Sequence, residues 1–409
     1  MTAPHDTIPA QRRTPRVVVA HDYLTQCGGA ERVVLAMLEA FPGARLVTSV
    51  YDPDATFPEF RDHQVETLWP DRFEMLRADP RRALPVLGRA ISQHRIDDAD
   101  VVLASSSGWA HGFTTDAPKV VYCHNPARWL YVQEDYLPGV PPYARVALHA
   151  LSPMLRRWDR RAASTVTRYL ANSSVVQRRI ADAYGIEATV LHPPVAVDVA
   201  AERQPVPGLE PGFLLTISRQ RGYKHADVAC EAGAGLPGAR LAVVGDLPER
   251  PGGWPEHVVG LGRVSDAQLR WLYANAAGLV GLSHEDFGLT PLEGYAFGVP
   301  SLLLRAGGYL DSSVEDVTTV FVDDVDVDQV RAAVTDLLAR DWDRDAIRRH
   351  GDRFSLVSFQ EALRRHVAEV TDLRPPVHTT PRLTPTATLP SRPTSPDRAT
   401  RPATVAGGR

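Results

Sequence analysis

The sequence predicts an α/β protein made of two doubly wound halves. Short β-branched runs alternate with stretches of helical periodicity, the pattern of parallel sheets with crossover helices. The alternation runs through twice, with a Pro- and Gly-rich stretch at 194–212 between the two cycles. The chain has 409 residues, 44% hydrophobic and 23% charged, an ordinary globular composition at a length of roughly two to three domains.

In the first cycle, 16–20 reads as a strand and 29–40 as a helix, followed by strands at 46–50, 101–104 and 120–123. The stretch 155–171 reads as helix, 175–184 as another, and 189–191 as a strand. The second cycle opens with a strand at 213–217 and a helix. A strand at 240–244, a helix at 266–276 and a strand at 278–282 follow, then a helix from about Pro291 and a strand at 301–304. The organisation is therefore 15–195, a linker at 196–212, 213–350, a terminal helical segment at 351–373 and a tail at 374–409. Two such halves enclose a cleft, where ligands of open parallel sheets bind. The tail has eight prolines, six arginines and one acid, and too few large apolar residues to offset its ordering entropy, so it reads as disordered.

The net charge of −4 gives no basic field for nucleic acid. Cys27, Cys123 and Cys230 are too far apart for a zinc knuckle or disulfide framework, and a reducing, cytoplasmic compartment is expected. No uncharged apolar run reaches the roughly 18 residues of a membrane span. The first residues, MTAPHDTIPAQRRTP, lack the apolar segment of a signal peptide. Of the 45 basic residues only Lys119 and Lys224 are lysine, so those positions are candidates for needing a compact ammonium.

Four places carry chemistry. In HDYLTQCGGAERVV, Gly28 and Gly29 stand at a strand-to-helix turn, which suits either a tight turn or close approach of an anionic ligand to backbone amides. In HEDFGLTPLEGYAFGVP, Glu285 falls on the loop after a strand and Glu293 in the first turn of the helix that Pro291 announces. Helix-dipole stabilisation accounts for Glu293 but leaves Glu285 unexplained. In SRQRGYKH, Arg219 and Lys224 leave the end of the 213–217 strand, where two cations can neutralise a diphosphate or simply sit solvated on a turn. His124 follows the 120–123 strand, where a neutral imidazole can hydrogen-bond a ligand hydroxyl; His111 reads as structural. Asp52-Pro-Asp54 and Asp98-Ala-Asp100 have the spacing of a divalent-cation pair but read as loop and cap acids.

Taken in order, HDYLTQCGGAERVV, SSSGWAHG, YCHNPARWLY, ANSSVVQRRI, SRQRGYK and EDFGLTPLEGYAFGVP resemble the family 4 glycosyltransferases over about residues 16–370, closest to the bacterial mannosyltransferase-like branch of polysaccharide biosynthesis. The resemblance implies the GT-B fold: two Rossmann-like domains facing a central cleft, acceptor side first and nucleotide-sugar side second, with a final helix that often returns to the first domain. It implies that Arg219, Lys224 and the amides of Gly288 and Leu289 hold the donor diphosphate and Glu293 the ribose. Glu285 and His124 would lie by the transferred sugar, and Gly28 and Gly29 would line the phosphate and acceptor side. The sequence departs from the family pattern at Gly294, Arg221-Gly222 and Asp311, which bears on donor choice.

The expected function is transfer of a hexose, mannose first, from a nucleotide sugar such as GDP-mannose to a glycan or lipid-linked acceptor. Anomeric configuration is expected to be retained, and neither cofactor nor metal is expected. A sugar-nucleotide epimerase of the same fold and a non-catalytic sugar-nucleotide sensor stay open as alternatives. A nicotinamide dehydrogenase is disfavoured by the incomplete glycine fingerprint. Arg156, Arg157, Arg160 and Arg161 form a basic helical stretch suited to anionic lipid at the inner membrane face, or to a solvated or packed face.

Overall fold

The computed structural model describes residues 15–79, 84–132, 142–195, 197–218, 224–236 and 238–371. The first sheet contains β1 (Val17–His21), β2 (Arg45–Thr48), β3 (Val65–Thr67), β4 (Val101–Ser106), β5 (Lys119–Cys123), β6 (Arg168–Ala171) and β7 (Thr189–Val190). Their order across the sheet is β3-β2-β1-β4-β5-β6-β7, and every pairing is parallel. The second sheet contains β8 (Phe213–Ile217), β9 (Leu241–Val244), β10 (Val258–Gly262), β11 (Ala276–Gly281), β12 (Ser301–Leu304) and β13 (Thr319–Val322). It repeats the plan in the order β10-β9-β8-β11-β12-β13, again parallel throughout.

Central strands of such sheets are covered on both faces, so they read as unbroken apolar runs. VVVAH in β1 and VVLASS in β4 are buried at every position. In each sheet the chain winds outward one way from the first strand and then the other, which leaves a switch point between β1 and β4 and another between β8 and β11. Loops leaving the carboxyl ends of strands at a switch point splay apart and form the ligand crevice.

Two expectations are corrected. The helix expected over 155–171 is instead the helix Pro142–Ala163 followed by strand β6. The helix stops because the hydroxyls of Ser164 and Thr165 donate to the carbonyls of Arg161 and Ala162 (2.8 Å each), and the β-branched Thr165-Val166-Thr167 leads into pairing with β5. The helix expected from Pro291 begins earlier, at Leu289, and spans Leu289–Ala296; Glu293 therefore lies in its second turn, outside the reach of a first-turn capping argument. Strands β3, β10 and β13 were not among those expected. They are sheet edges, where V-E-T and V-V-G-L-G lack the double-sided apolar signal; T-V-F-V carries it.

The helix Leu356–Thr371 follows the second sheet in sequence but packs on the first. Phe359, Leu363 and Val367 join the cluster of Met37, Leu38, Leu103 and Tyr122. Gln360 donates to Glu39 (3.1 Å) and Arg364 to the carbonyl of Ala40 (2.9 Å), fastening it along the helix Gly29–Ala40.

Candidate active site

The first cluster gathers at the β1/β4 switch point. The buried Asp22 carboxylate accepts from the amides of Ser107 (2.5 Å), Trp109 (2.8 Å) and Ala110 (2.6 Å), so the loop after β1 holds the loop after β4. His21 Nε2 lies 3.6 Å from Glu31 Oε1, both residues nearly inaccessible, and Gln26 donates to the same carboxylate at 3.1 Å. Burial alone would lower the His21 pKa; its pairing with Glu31 outweighs that and raises it. Gly28 caps the helix Gly29–Ala40 in extended backbone. A Cβ on Gly29 would stand 3.3 Å from Leu289 Cδ1, so the start of this helix abuts the start of Leu289–Ala296 across the cleft.

The second cluster gathers at the β8/β11 switch point. Lys224 Nζ lies 2.9 Å from Glu285 Oε1, which also accepts from Ser283 Oγ at 2.9 Å. Burial would lift the Glu285 carboxyl, but Lys224, aided by Ser283 and Arg128, holds it below the ordinary glutamate range. Next to it, Asp286 is clasped by two cations of the first domain, Arg128 and, at 2.6 Å, Arg179. Phe287 stacks on His192 with ring centroids 5.0 Å apart. Gly288 has φ of +86°, and a Cβ there would come within 2.4 Å of the Tyr309 ring, so the turn into the helix Leu289–Ala296 requires glycine on two counts.

Glu293 is half-buried and accepts a 2.6 Å hydrogen bond from the Tyr273 hydroxyl. Burial raises its pKa, partly offset by Tyr273 and by Arg32 on the first-domain helix. Among the described residues only Tyr273 bonds its carboxylate, through Oε2. Asp311 accepts from the amide of Ser174 (2.5 Å), the first residue of the helix Ser174–Tyr184, making another tie between domains.

The cleft thus brings together Lys224, Glu285, Gly288, Leu289 and Gly29, with Gly28 and Glu293 on the same helices. Arg219 and the tail at 374–409 lie outside the described residues. His124 makes no contact with Lys224 or Glu285 among the described residues; its ring bonds Ser105 at 2.8 Å, and burial together with the charge of His21 lowers its pKa to about 3. His111 is in the core, 3.0 Å from Asp159. Arg61 bonds Asp54, and Arg45 and Arg16 bond Asp98 and Asp100, so both acidic pairs are engaged by arginine. Sequence reasoning missed Arg128, Arg179, Tyr273, Ser105 and the His21–Glu31 pair. The acid three residues beyond Gly28 and the His-Asp at the end of β1 were the available signals.

Residues 27–199 match the family described as Glycosyltransferase Family 4, and residues 200–353 match Glycosyl transferases group 1. The chain belongs to the family 4 glycosyltransferases. Its GT-B fold recurs in solved structures of low identity. HepE of Anabaena in complex with UDP-glucose has a TM-score of 0.61 at 16% identity, covering 86% of this chain and 99% of that one. Sucrose-phosphate synthase of Thermosynechococcus elongatus gives 0.62 at 15%, covering 87% and 99%. A glycosyltransferase of Rickettsia africae gives 0.59 at 15%, covering 88% and 99%. No curated protein matches. Among the described residues of this glycosyltransferase, no helix is long and apolar enough to cross a membrane.

Proposed function

We propose that this glycosyltransferase moves a hexose, mannose first, from a nucleotide sugar to a glycan or lipid-linked acceptor with retention of configuration and without a metal. The observation that carries the reading is the ion pair of Lys224 with Glu285 at the β8/β11 switch point, in the loop that leads into the helix Leu289–Ala296, whose start abuts that of the helix Gly29–Ala40. A diphosphate suits that place: helix N-termini and an ammonium favour its charge, and the sequence carries Arg219 five residues before Lys224. Glu293, oriented by Tyr273, takes the ribose hydroxyls, and Glu285 takes the transferred sugar. HepE, which shares the fold, binds UDP-glucose, in keeping with a nucleotide-sugar donor.

Glu285, the carboxylate read beside the transferred sugar, is held by Lys224, so the departing diphosphate oxygen takes the acceptor proton. The C1–phosphate oxygen bond breaks and the acceptor oxygen bonds C1 on the same face. Lys224 and Arg219 supply the positive charge that a metal supplies elsewhere. The test is turnover of GDP-mannose and UDP-glucose against glycan and lipid acceptors, after EDTA, with proton NMR of the first-formed glycoside. Persistent turnover and an α-product are expected. Rate lost to chelation and restored by magnesium, or a β-product, refutes the mechanism.

The acceptor side also suits an anionic bilayer surface. On the helix Pro142–Ala163 the exposed Val146, Ala150, Met154, Arg157 and Arg161 share one face, with apolar residues at one end and cations at the other. Arg156 and Arg160 are turned to protein, donating to the carbonyls of Leu130 and Ala183. Cosedimentation with anionic but not zwitterionic vesicles is expected, and equal partition to both refutes it.

A further inference from the structure

Ser105, on β4, stands between two histidines. His21 Nδ1 lies 3.0 Å from the Ser105 carbonyl oxygen and 3.1 Å from its Oγ, while His124 Nε2 lies 2.8 Å from the same Oγ. A carbonyl oxygen only accepts, so the His21 nitrogen facing it carries a proton. The in-plane lone pair of that nitrogen is thereby used, and it cannot also accept from the Ser105 hydroxyl. Among the described residues the Ser105 O–H then has one acceptor left, His124 Nε2. A neutral imidazole has a single proton, and with Nε2 accepting, that proton sits on Nδ1.

The surroundings hold this arrangement in place. His21 is fixed from its other nitrogen by Glu31, itself bonded by Gln26. The His124 backbone is fastened on both sides, its amide donating to the Ser106 carbonyl (2.8 Å) and its carbonyl accepting from Asn172 (3.0 Å). The Tyr122 ring meets the imidazole edge-on at 5.2 Å, which limits its rotation. Nδ1 of the half-buried His124 has no partner among the described residues.

We propose that Ser105, oriented by His21, locks His124 in its Nδ1–H tautomer, so that the ring offers the ligand a hydrogen-bond donor and no proton acceptor. Ser105 and His21 are positioning residues, acting through His124. The inference rests on reading His124 as a sugar contact. It makes the sugar oxygen met by His124 an acceptor, and it removes His124 from the groups able to deprotonate the acceptor substrate. Free histidine in water prefers the proton on Nε2, so the lock reverses the intrinsic preference and can be detected.

The test is a long-range proton–nitrogen correlation spectrum of the full chain with 15N-labelled histidine at neutral pH, the His124 ring being identified by the signal lost in His124→Gln. A protonated Nδ1 with an unprotonated Nε2 is expected in the wild type, and the reverse in Ser105→Ala; Ser105→Thr, which restores a hydroxyl, should restore the wild-type pattern. An Nε2–H ring or an imidazolium in the wild type overturns the proposal, whether or not Ser105→Ala folds. An unchanged tautomer in folded Ser105→Ala overturns the role of Ser105. Turnover of GDP-mannose and UDP-glucose by the same sample separates the two readings. An Nδ1–H ring in a protein that consumes neither donor upholds the lock and counts against the transferase mechanism.

Discussion

Lys119 offers a stability prediction whose size follows from its surroundings. It opens β5, is 3% exposed, and donates from Nζ to the His111 carbonyl (2.7 Å) and Thr165 Oγ1 (3.0 Å). Both partners are uncharged, and burial lowers its pKa from 10.5 to about 8. Between those values the unfolded chain holds a proton that the folded chain has released, so stability rises with pH across that window. At about 1.36 kcal/mol per pH unit, the fall from 10.5 to about 8 sets a scale of about 3 kcal/mol. Lys119→Met keeps much of the stem and removes the titration. Urea unfolding of both proteins at matched pH, followed by the fluorescence of Trp109, Trp129 and Trp158 in the same core region, reads the difference. The stability of the wild type relative to Lys119→Met should climb by about 2–3 kcal/mol from pH 7.5 to 10. Parallel curves, or a gap that moves the other way, would refute the argument. Lys119→Arg should destabilise at every pH in that range, because a larger fork that stays charged enters the same space.

Lys224→Ala should cost about 2–4 kcal/mol in kcat/KM, because it removes a fixed cation from the developing diphosphate charge; near-wild-type turnover in steady-state kinetics would discard the assignment. Glu293→Gln and Tyr273→Phe should both weaken donor binding by calorimetry with a smaller effect on turnover, whereas Glu285→Gln should depress turnover more than affinity. The opposite split would exchange the roles of the two glutamates.

The sequence revealed most where burial on two faces leaves a continuous apolar signal. The strand at 213–217, the strand at 301–304 and the helix at 29–40 appear at the expected bounds. It revealed less at edges and helix ends, where a few hydroxyls and β-branched residues decide, as at Ser164–Thr167 before β6. The same holds for the site. Glycines and charges in one loop, such as Gly288 and Lys224, announce themselves by spacing. Arg128 and Arg179 meet Asp286 only through the tertiary fold, 158 and 107 residues away in sequence. Tyr273 is invisible for a related reason: a buried tyrosine on a helix looks like core until its hydroxyl is seen on Glu293.

The return of the helix Leu356–Thr371 to the first sheet makes the second domain an insertion within the first. The apolar face formed by Met37, Leu38 and Tyr122 waits for Phe359, Leu363 and Val367. At roughly 5–20 residues per second, the ribosome needs on the order of ten to thirty seconds to pass from residue 195 to that helix. Through that interval the first domain has its strands but not its cover, while the second can already close on its own core. Synthesis therefore completes the inserted domain before its host. Where the chain crosses out and back, the Val195 amide donates to the Phe354 carbonyl at 2.8 Å and ties the two crossings to each other.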